Sequence, residues 1–357
     1  MDNIKSYKLT GYNSTIDFSA DAKYIIIGGY DGGFKVFDTA NNKICCKTKL
    51  KGAKSDIDIL HTGSSFDNKY AAFSALWKIF VMDLQKGEII WEFEFSKAER
   101  RTSSPFCFFN KSSKIVIPNG DNLLIYNIET QQSQYIKLPD GAGWTDCLTV
   151  SPDDALVAYK SCNDEHSIFI TYKTYYTALD DRVFIYNTTN GKLHKTINVP
   201  YPQQVRGQIS ISKYMKFVDN DTLLIQRKAF GLSWFNINTG VEKFTHTWEQ
   251  IIGLKPINCS LRNLQISDNG RYILFNKETP DPKRLPDEWV IPIPDGLEYI
   301  LYDIAESKIL FRHKNGESPA TFHFETQQFA FIKTEYDENF RCLQYLCIGL
   351  ENIKKNN

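Results

Sequence analysis

The sequence predicts an all-β fold: a single seven-bladed β-propeller of four-stranded antiparallel blades, closed by an N-terminal strand that completes the last blade. Two observations carry this prediction. A short apolar strand ending in Asp or Asn, followed by a polar turn, occurs six times, with its last residue at positions 38, 83, 127, 187, 236 and 303. Upstream of each copy lies a second hairpin, in which a polar turn joins two apolar runs, as in DFSADAKYIII and QISDNGRYILF. By subtraction the markers are 45, 44, 60, 49 and 67 residues apart, so a unit of about 44 residues recurs with two long insertions. A β-sandwich also uses short strands and regular turns, but it requires no such period.

The elements follow in order. Residues 4–9 (IKSYKL) precede blade one as KICCKTKL precedes blade two, which makes them an outer strand without a blade of their own. Blade one spans 13–50 and contains FKVFD with its turn DTANNK; blade two spans 56–96 with IFVMD and DLQKGE; blade three spans 104–138 with LLIYN and NIETQQ. Blade four, 145–199, carries VFIYN and NTTNGK and an excursion at 163–181. Blade five spans 206–246 with LSWFN and NINTGV. Blade six, 262–312, has YILYD and DIAESK and an excursion at 277–296 whose five prolines bar it from an interior strand. Blade seven, 318–349, offers only three strands, and residues 350–357 form a polar tail. Pairing residues 4–9 with blade seven supplies its missing outer strand and closes the ring. Asp and Asn suit the turn starts because their short side chains bond backbone N–H groups two residues on. The second strands are continuous apolar runs, such as 24–27 and 272–275, as expected where neighbouring blades cover both faces.

This pattern resembles the WD-repeat family across residues 4–349. The Trp-Asp pair of that family stands here as Phe37-Asp38, Met82-Asp83, Tyr126-Asn127, Tyr186-Asn187, Phe235-Asn236 and Tyr302-Asp303, and its Gly-His dipeptide is absent throughout. The resemblance implies the propeller fold.

Composition narrows the functional classes. Lys plus Arg and Asp plus Glu both total 42, so no whole-molecule field recruits nucleic acid or anionic lipid. The first residues lack an apolar core, and no apolar run approaches about 20 residues, so the expectation is a cytoplasmic chain without membrane contact. None of the eight cysteines forms a C-x-x-C pair and none of the six histidines sits in a nucleophile, zincin or haem motif. No metal or cofactor is expected.

Both excursions are connections between the second and third strands of a blade, and such connections emerge on the same face as those between blades. Long loops on a rigid scaffold are where binding sites concentrate. The expected partner-binding residues on this face are Lys97, Arg100, Arg101, Trp144, Tyr175, Tyr176, Arg182, Tyr201, Arg206, Arg262 and Trp289. Aromatics and Arg suit that role because they offer large contact area and forked hydrogen bonds. The leading expectation is therefore a monomeric, non-catalytic ring that binds a protein or peptide partner. The alternative is a metal-assisted hydrolase or lactonase at the channel mouth, drawing on Asp56, Asp58, Asp146 and Glu317. Nucleic-acid binding through Lys97, Arg100, Arg101 and Arg206 ranks lower because the charges balance.

Overall fold

The recurring Asp or Asn sets the turn geometry of six of the seven blades. In each of six turns its Oδ1 accepts the backbone N–H groups two and three residues on, at 2.9–3.2 Å: Asp38, Asp83, Asn127, Asn187, Asn236 and Asp303 all do so. The amide serves as well as the acid because only an acceptor oxygen is used. The bonds from Asn41 hold the Asp38 carboxyl below the usual carboxylate range.

A computed structural model describes residues 4–29, 32–49, 59–75, 78–95, 105–140, 145, 147–161, 181–199, 214–227, 231–253, 260–278, 297–314, 319–338 and 342–350. Strand β1 (Lys5–Leu9) comes first. Blade one is β2 (Asn13–Phe18), β3 (Tyr24–Gly29), β4 (Gly33–Asp38) and β5 (Lys43–Lys49); blade two is β6 (Ile59–Ser64), β7 (Tyr70–Ala75), β8 (Lys78–Asp83) and β9 (Glu88–Glu94). Blade three is β10 (Cys107–Phe108), β11 (Lys114–Asn119), β12 (Asn122–Asn127) and β13 (Gln132–Lys137); blade four is β14 (Leu148–Val150), β15 (Leu156–Ser161), β16 (Asp181–Asn187) and β17 (Leu193–Val199). Blade five is β18 (Met215–Asp219), β19 (Thr222–Arg227), β20 (Gly231–Asn236) and β21 (Glu242–Thr247), followed by helix α1 (Trp248–Ile252). Blade six is β22 (Ser260–Ile266), β23 (Tyr272–Glu278), β24 (Leu297–Asp303) and β25 (Lys308–Lys314); blade seven is β26 (Ala320–His323), β27 (Gln328–Tyr336) and β28 (Cys342–Leu350), with β1 as its fourth strand.

Seven four-stranded antiparallel sheets thus form the ring, and seven apolar clusters fill the seven interfaces between blades. The closure is as the sequence leads one to expect. β1 pairs antiparallel with β28 from Lys5↔Ile348 to Leu9↔Gln344, and Leu9 is buried in the cluster joining blades seven and one. At the loop-rich end of this seam Lys35 Nζ donates to Asn13 Oδ1 (2.7 Å), while Asn13 N and Nδ2 donate to Gln344 Oε1 (2.7 and 2.8 Å). A buried ammonium and two amides are tolerable there because each finds a partner.

The opposite face is closed by its own turns. In four blades a Ser at the end of the first strand donates to an Asp or Asn two residues on and accepts the first N–H of the second strand. These are Ser19 with Asp21 and Tyr24, Ser65 with Asp67 and Tyr70, Ser151 with Asp153 and Leu156, and Ser267 with Asn269 and Tyr272. Neighbouring turns also clasp one another: Asp154 accepts Asn110 N (2.6 Å), Lys111 N (3.1 Å) and Ser112 Oγ (2.9 Å) from blade three.

Helix α1 is an element the repeat does not announce. Thr247 caps it and Gln250 reaches back to the Thr247 N–H, while Gly253 ends it in the left-handed conformation at φ 69°. The helix buries Trp248 and Ile251 in the core between blades five and six.

Candidate functional site

The first strand of each blade alternates between core and axis. Ile16 and Phe18, Leu148 and Val150, Met215 and Phe217, Leu264 and Ile266, and Ala320 and Phe322 all enter interblade clusters. The residues between them face the other way. Asp17, Gly63, Cys107, Thr149, Lys216, Gln265 and Thr321 each stand opposite the third residue of their blade's second strand, so the seven form one level around the axis.

Part of this ring is stitched together. Gln265 Nε2 donates to Thr321 Oγ1 (3.0 Å), the Thr321 hydroxyl donates to Asp17 Oδ1 (3.3 Å), and the Phe322 N–H donates to Gln265 Oε1 (3.0 Å). The chain of bonds therefore crosses blades six, seven and one. Lys216 Nζ is turned toward blade six, where it donates to the Ile266 carbonyl (2.9 Å) and Asp268 Oδ1 (2.6 Å). Its charge still acts on Asp17 of blade one and Cys107 of blade three, whose ionised forms it favours.

Burial dominates the electrostatics of the ring. It raises the Asp17 carboxyl to about 7, against the opposing pull of the Phe18 N–H, the Thr321 hydroxyl and the Lys216 charge. It pushes the Cys107 thiol up to about 11, and the Tyr214 phenol above its ordinary value. A thiol held in its protonated form is a poor nucleophile, and the Cys107 thiol points at the Phe108 carbonyl (3.3 Å). Among the described residues no three His, Cys, Asp or Glu side chains converge as a metal site would require.

Above this ring, toward the loop-rich face, the second strands change character. Their fifth residues are Gly28, Ser74, Pro118, Lys160, Gln226, Asn276 and Ile332. Lys160 and Ser74 are fully buried and Gln226 and Asn276 nearly so, at the position where the strand's apolar run ends. The Ser74 hydroxyl and the Asn276 carbonyl oxygen have no hydrogen-bond partner among the described residues. One residue further on, buried Arg227 lies 3.6 Å from Glu242 Oε1 and donates to Ser233 Oγ (3.4 Å). A polar layer therefore underlies the face from which the long connections rise.

Of the expected binding residues, Lys97, Arg100, Arg101, Trp144, Tyr175, Tyr176, Tyr201, Arg206 and Trp289 lie outside the described residues, as do Asp56, Asp58, Asp146 and Glu317. Two belong to strands rather than to the loops where the sequence suggests them. Arg182 sits in β16 opposite Ser161, its guanidinium 5.4 Å from the Phe184 ring centre, because the third strand begins at Asp181. Arg262 is in β22 opposite Asn276. Both occupy the loop-rich ends of their blades. The axial ring escaped sequence reasoning, although its signal is present: D-F-S, T-V-S and Q-I-S each place the axial residue two before the turn serine. No protein-family model and no curated protein matches the chain.

Proposed function

We propose that the protein is a non-catalytic platform that docks a protein or peptide partner on its loop-rich face. The observation that carries this reading is the asymmetry of the ring. One face is sealed by short turns whose polar groups bond one another, while every long connection leaves from the other, including the 19 residues of 162–180 and the 18 of 279–296. The buried polar layer beneath that face supports the same reading, since lone polar groups in an apolar stack are costly where nothing bonds them. Kinship with WD-repeat proteins belongs to the proposal and draws support from the six Asp or Asn turns. A cytoplasmic setting is likewise part of it; among the described residues Cys45, Cys46, Cys107 and Cys347 are free thiols, as in reducing compartments. No helix of the described residues is long and apolar enough to cross a membrane.

The test is affinity capture from a lysate with the intact chain, with an Arg101→Glu, Trp144→Ala, Arg206→Glu variant, and with a Lys23→Glu, Lys86→Glu variant of the sealed face. Partner recovery should fall about tenfold or more in the first variant, as loss of anchor residues worth roughly 1.4 kcal/mol or more implies, and stay unchanged in the second. Equal recovery from all three proteins contradicts the assignment of the face.

A further inference from the structure

The ring has seven outer strands, and along the outer side of each no further strand pairs among the described residues. Such edges invite pairing with another chain and are ordinarily blunted by bulges or charges. Five of the seven are bulged here. The register slips by one residue in β5 at Cys45, in β9 at Ile90, in β17 at His194, in β21 at Lys243 and in β25 at Leu310. A bulge leaves the extra residue unpaired and sharpens the local twist, which spoils the edge as a template. Charge is added on several: Lys43, Lys47 and Lys49 on β5, Glu88, Glu92 and Glu94 on β9, and Lys308, Arg312 and Lys314 on β25. β1 is regular but carries Lys5 and Lys8 in five residues.

β13 has neither defence. Its six residues pair with β12 in unbroken register from Gln132↔Asn127 to Lys137↔Asn122. Its one charge is Lys137 at the end, which lies 3.3 Å from Asp121 of its own blade. Tyr135, in the middle, is 57% exposed. The Leu138 N–H bonds the Asp121 carbonyl, so the strand's alternation turns the N–H groups of Ser133, Tyr135 and Lys137 outward. No backbone group on that side has a partner among the described residues.

We infer that β13 is a homotypic docking edge, on which a second copy of this chain adds its own β13 antiparallel to form a continuous eight-stranded sheet. Charge selects this occupant. Antiparallel self-pairing through the outward N–H groups sets Tyr135 against the second copy's Tyr135 and Ser133 against its Lys137, and keeps the two lysines about 14 Å apart, beyond the Debye length at physiological salt. The same operation on the other heavily charged edges sets Lys43 against Lys49, Glu88 against Glu94, or Lys308 against Lys314, and directly opposed like charges are destabilising. The net charge of the chain is zero, so no long-range repulsion opposes two copies. This edge lies on the rim of the ring and is separate from the loop-rich face. Such pairing would make the ring expected to be monomeric a weak monomer–dimer equilibrium. An edge of six residues buries less than the roughly 1,200 Å² of a standard interface, so the dissociation constant should be on the order of 10–100 μM.

Sedimentation equilibrium of the full chain, up to about 200 μM, tests this. The intact chain should show a concentration-dependent monomer–dimer equilibrium. Ser133→Pro removes an outward N–H without touching the β12 ladder, a substitution that edge strands accept, and should weaken dimerisation at least about tenfold. Tyr135→Lys should do the same by adding charge to the edge, and Ile90→Lys on the bulged β9 should leave it unchanged, all with unaltered melting temperatures. A chain that stays monomeric throughout overturns the inference and leaves the edge to a strand from a different protein. So does a dimer indifferent to both β13 substitutions.

Discussion

A chain lacking residues 1–9 should melt roughly 5 °C or more below the intact protein and self-associate beyond it, the largest effect expected of any short deletion. β1 is the outer partner of β28 over five residue pairs. Leu9 is 4% exposed, and the Tyr7 ring lies 4.7 Å from that of Phe37, so the strand also contributes to the core between blades seven and one. Burying a leucine stabilises by about 2 kcal/mol, and each lost ladder bond removes roughly 1 kcal/mol more, partly offset by the entropy the freed strand regains. The deletion also uncovers the β28 edge over Gln344–Ile348, QYLCI, which other chains can pair with. Thermal melts followed by circular dichroism, together with sedimentation velocity, give the answer. An unchanged melt and unchanged sedimentation would exclude β1 from the seventh blade.

The second large effect is on pH dependence, and it arises from Asp17. The folded pKa, about 7, lies above the ordinary carboxylate value of 3.8. The folded state therefore holds a proton that the unfolded state has released, and stability falls as pH rises from about 4 through 7, then levels off. Asp17 retains some access to the channel, so the cost of ionising it is smaller than full burial implies, roughly 2 kcal/mol at pH 8. Asp17→Asn keeps an oxygen to accept the Phe18 N–H and the Thr321 hydroxyl while removing the charge. It should match the native chain near pH 4 and exceed it by that amount at pH 8. Denaturant melts across this range decide the matter, and parallel stability curves for the two proteins would show that Asp17 does not titrate near neutrality.

The fold was largely legible because propeller blades repeat the same local solutions. The Asp or Asn marker is visible in sequence because each copy performs one job, accepting two N–H groups at the start of a turn. The closure was legible for a related reason: KSYKL has an outer strand's composition and no blade of its own. What the sequence hid depends on register. Whether Cys45 or Ile90 is a bulged residue follows from pairing with the neighbouring strand, not from residue type, so the contrast between β13 and the other edges emerges only in three dimensions. The axial ring is concealed because its members, from Asp17 to Gly63 to Lys216, share a position and no chemistry. Helix α1 carries a capping box in T-W-E-Q, but four residues inside a connection between blades do not stand out against a repeat of strands. Arg182 and Arg262 lie near the ends of β16 and β22, where the boundary between strand and loop follows from pairing and not from residue type.

The claim on which the architecture rests is that the chain closes its ring with its own first strand, and a covalent link reads this most directly. Ser6 stands opposite Cys347, with Ser6 Oγ 3.4 Å from the Cys347 sulfur. Cys347 is buried and its thiol is pushed up mainly by that burial, so oxidation calls for alkaline conditions. A Ser6→Cys variant, oxidised and digested without reduction, should yield one peptide in which positions 6 and 347 are joined, while the native chain yields none. Free thiols at both positions after oxidation, or position 6 joined to a different cysteine, would contradict the closure.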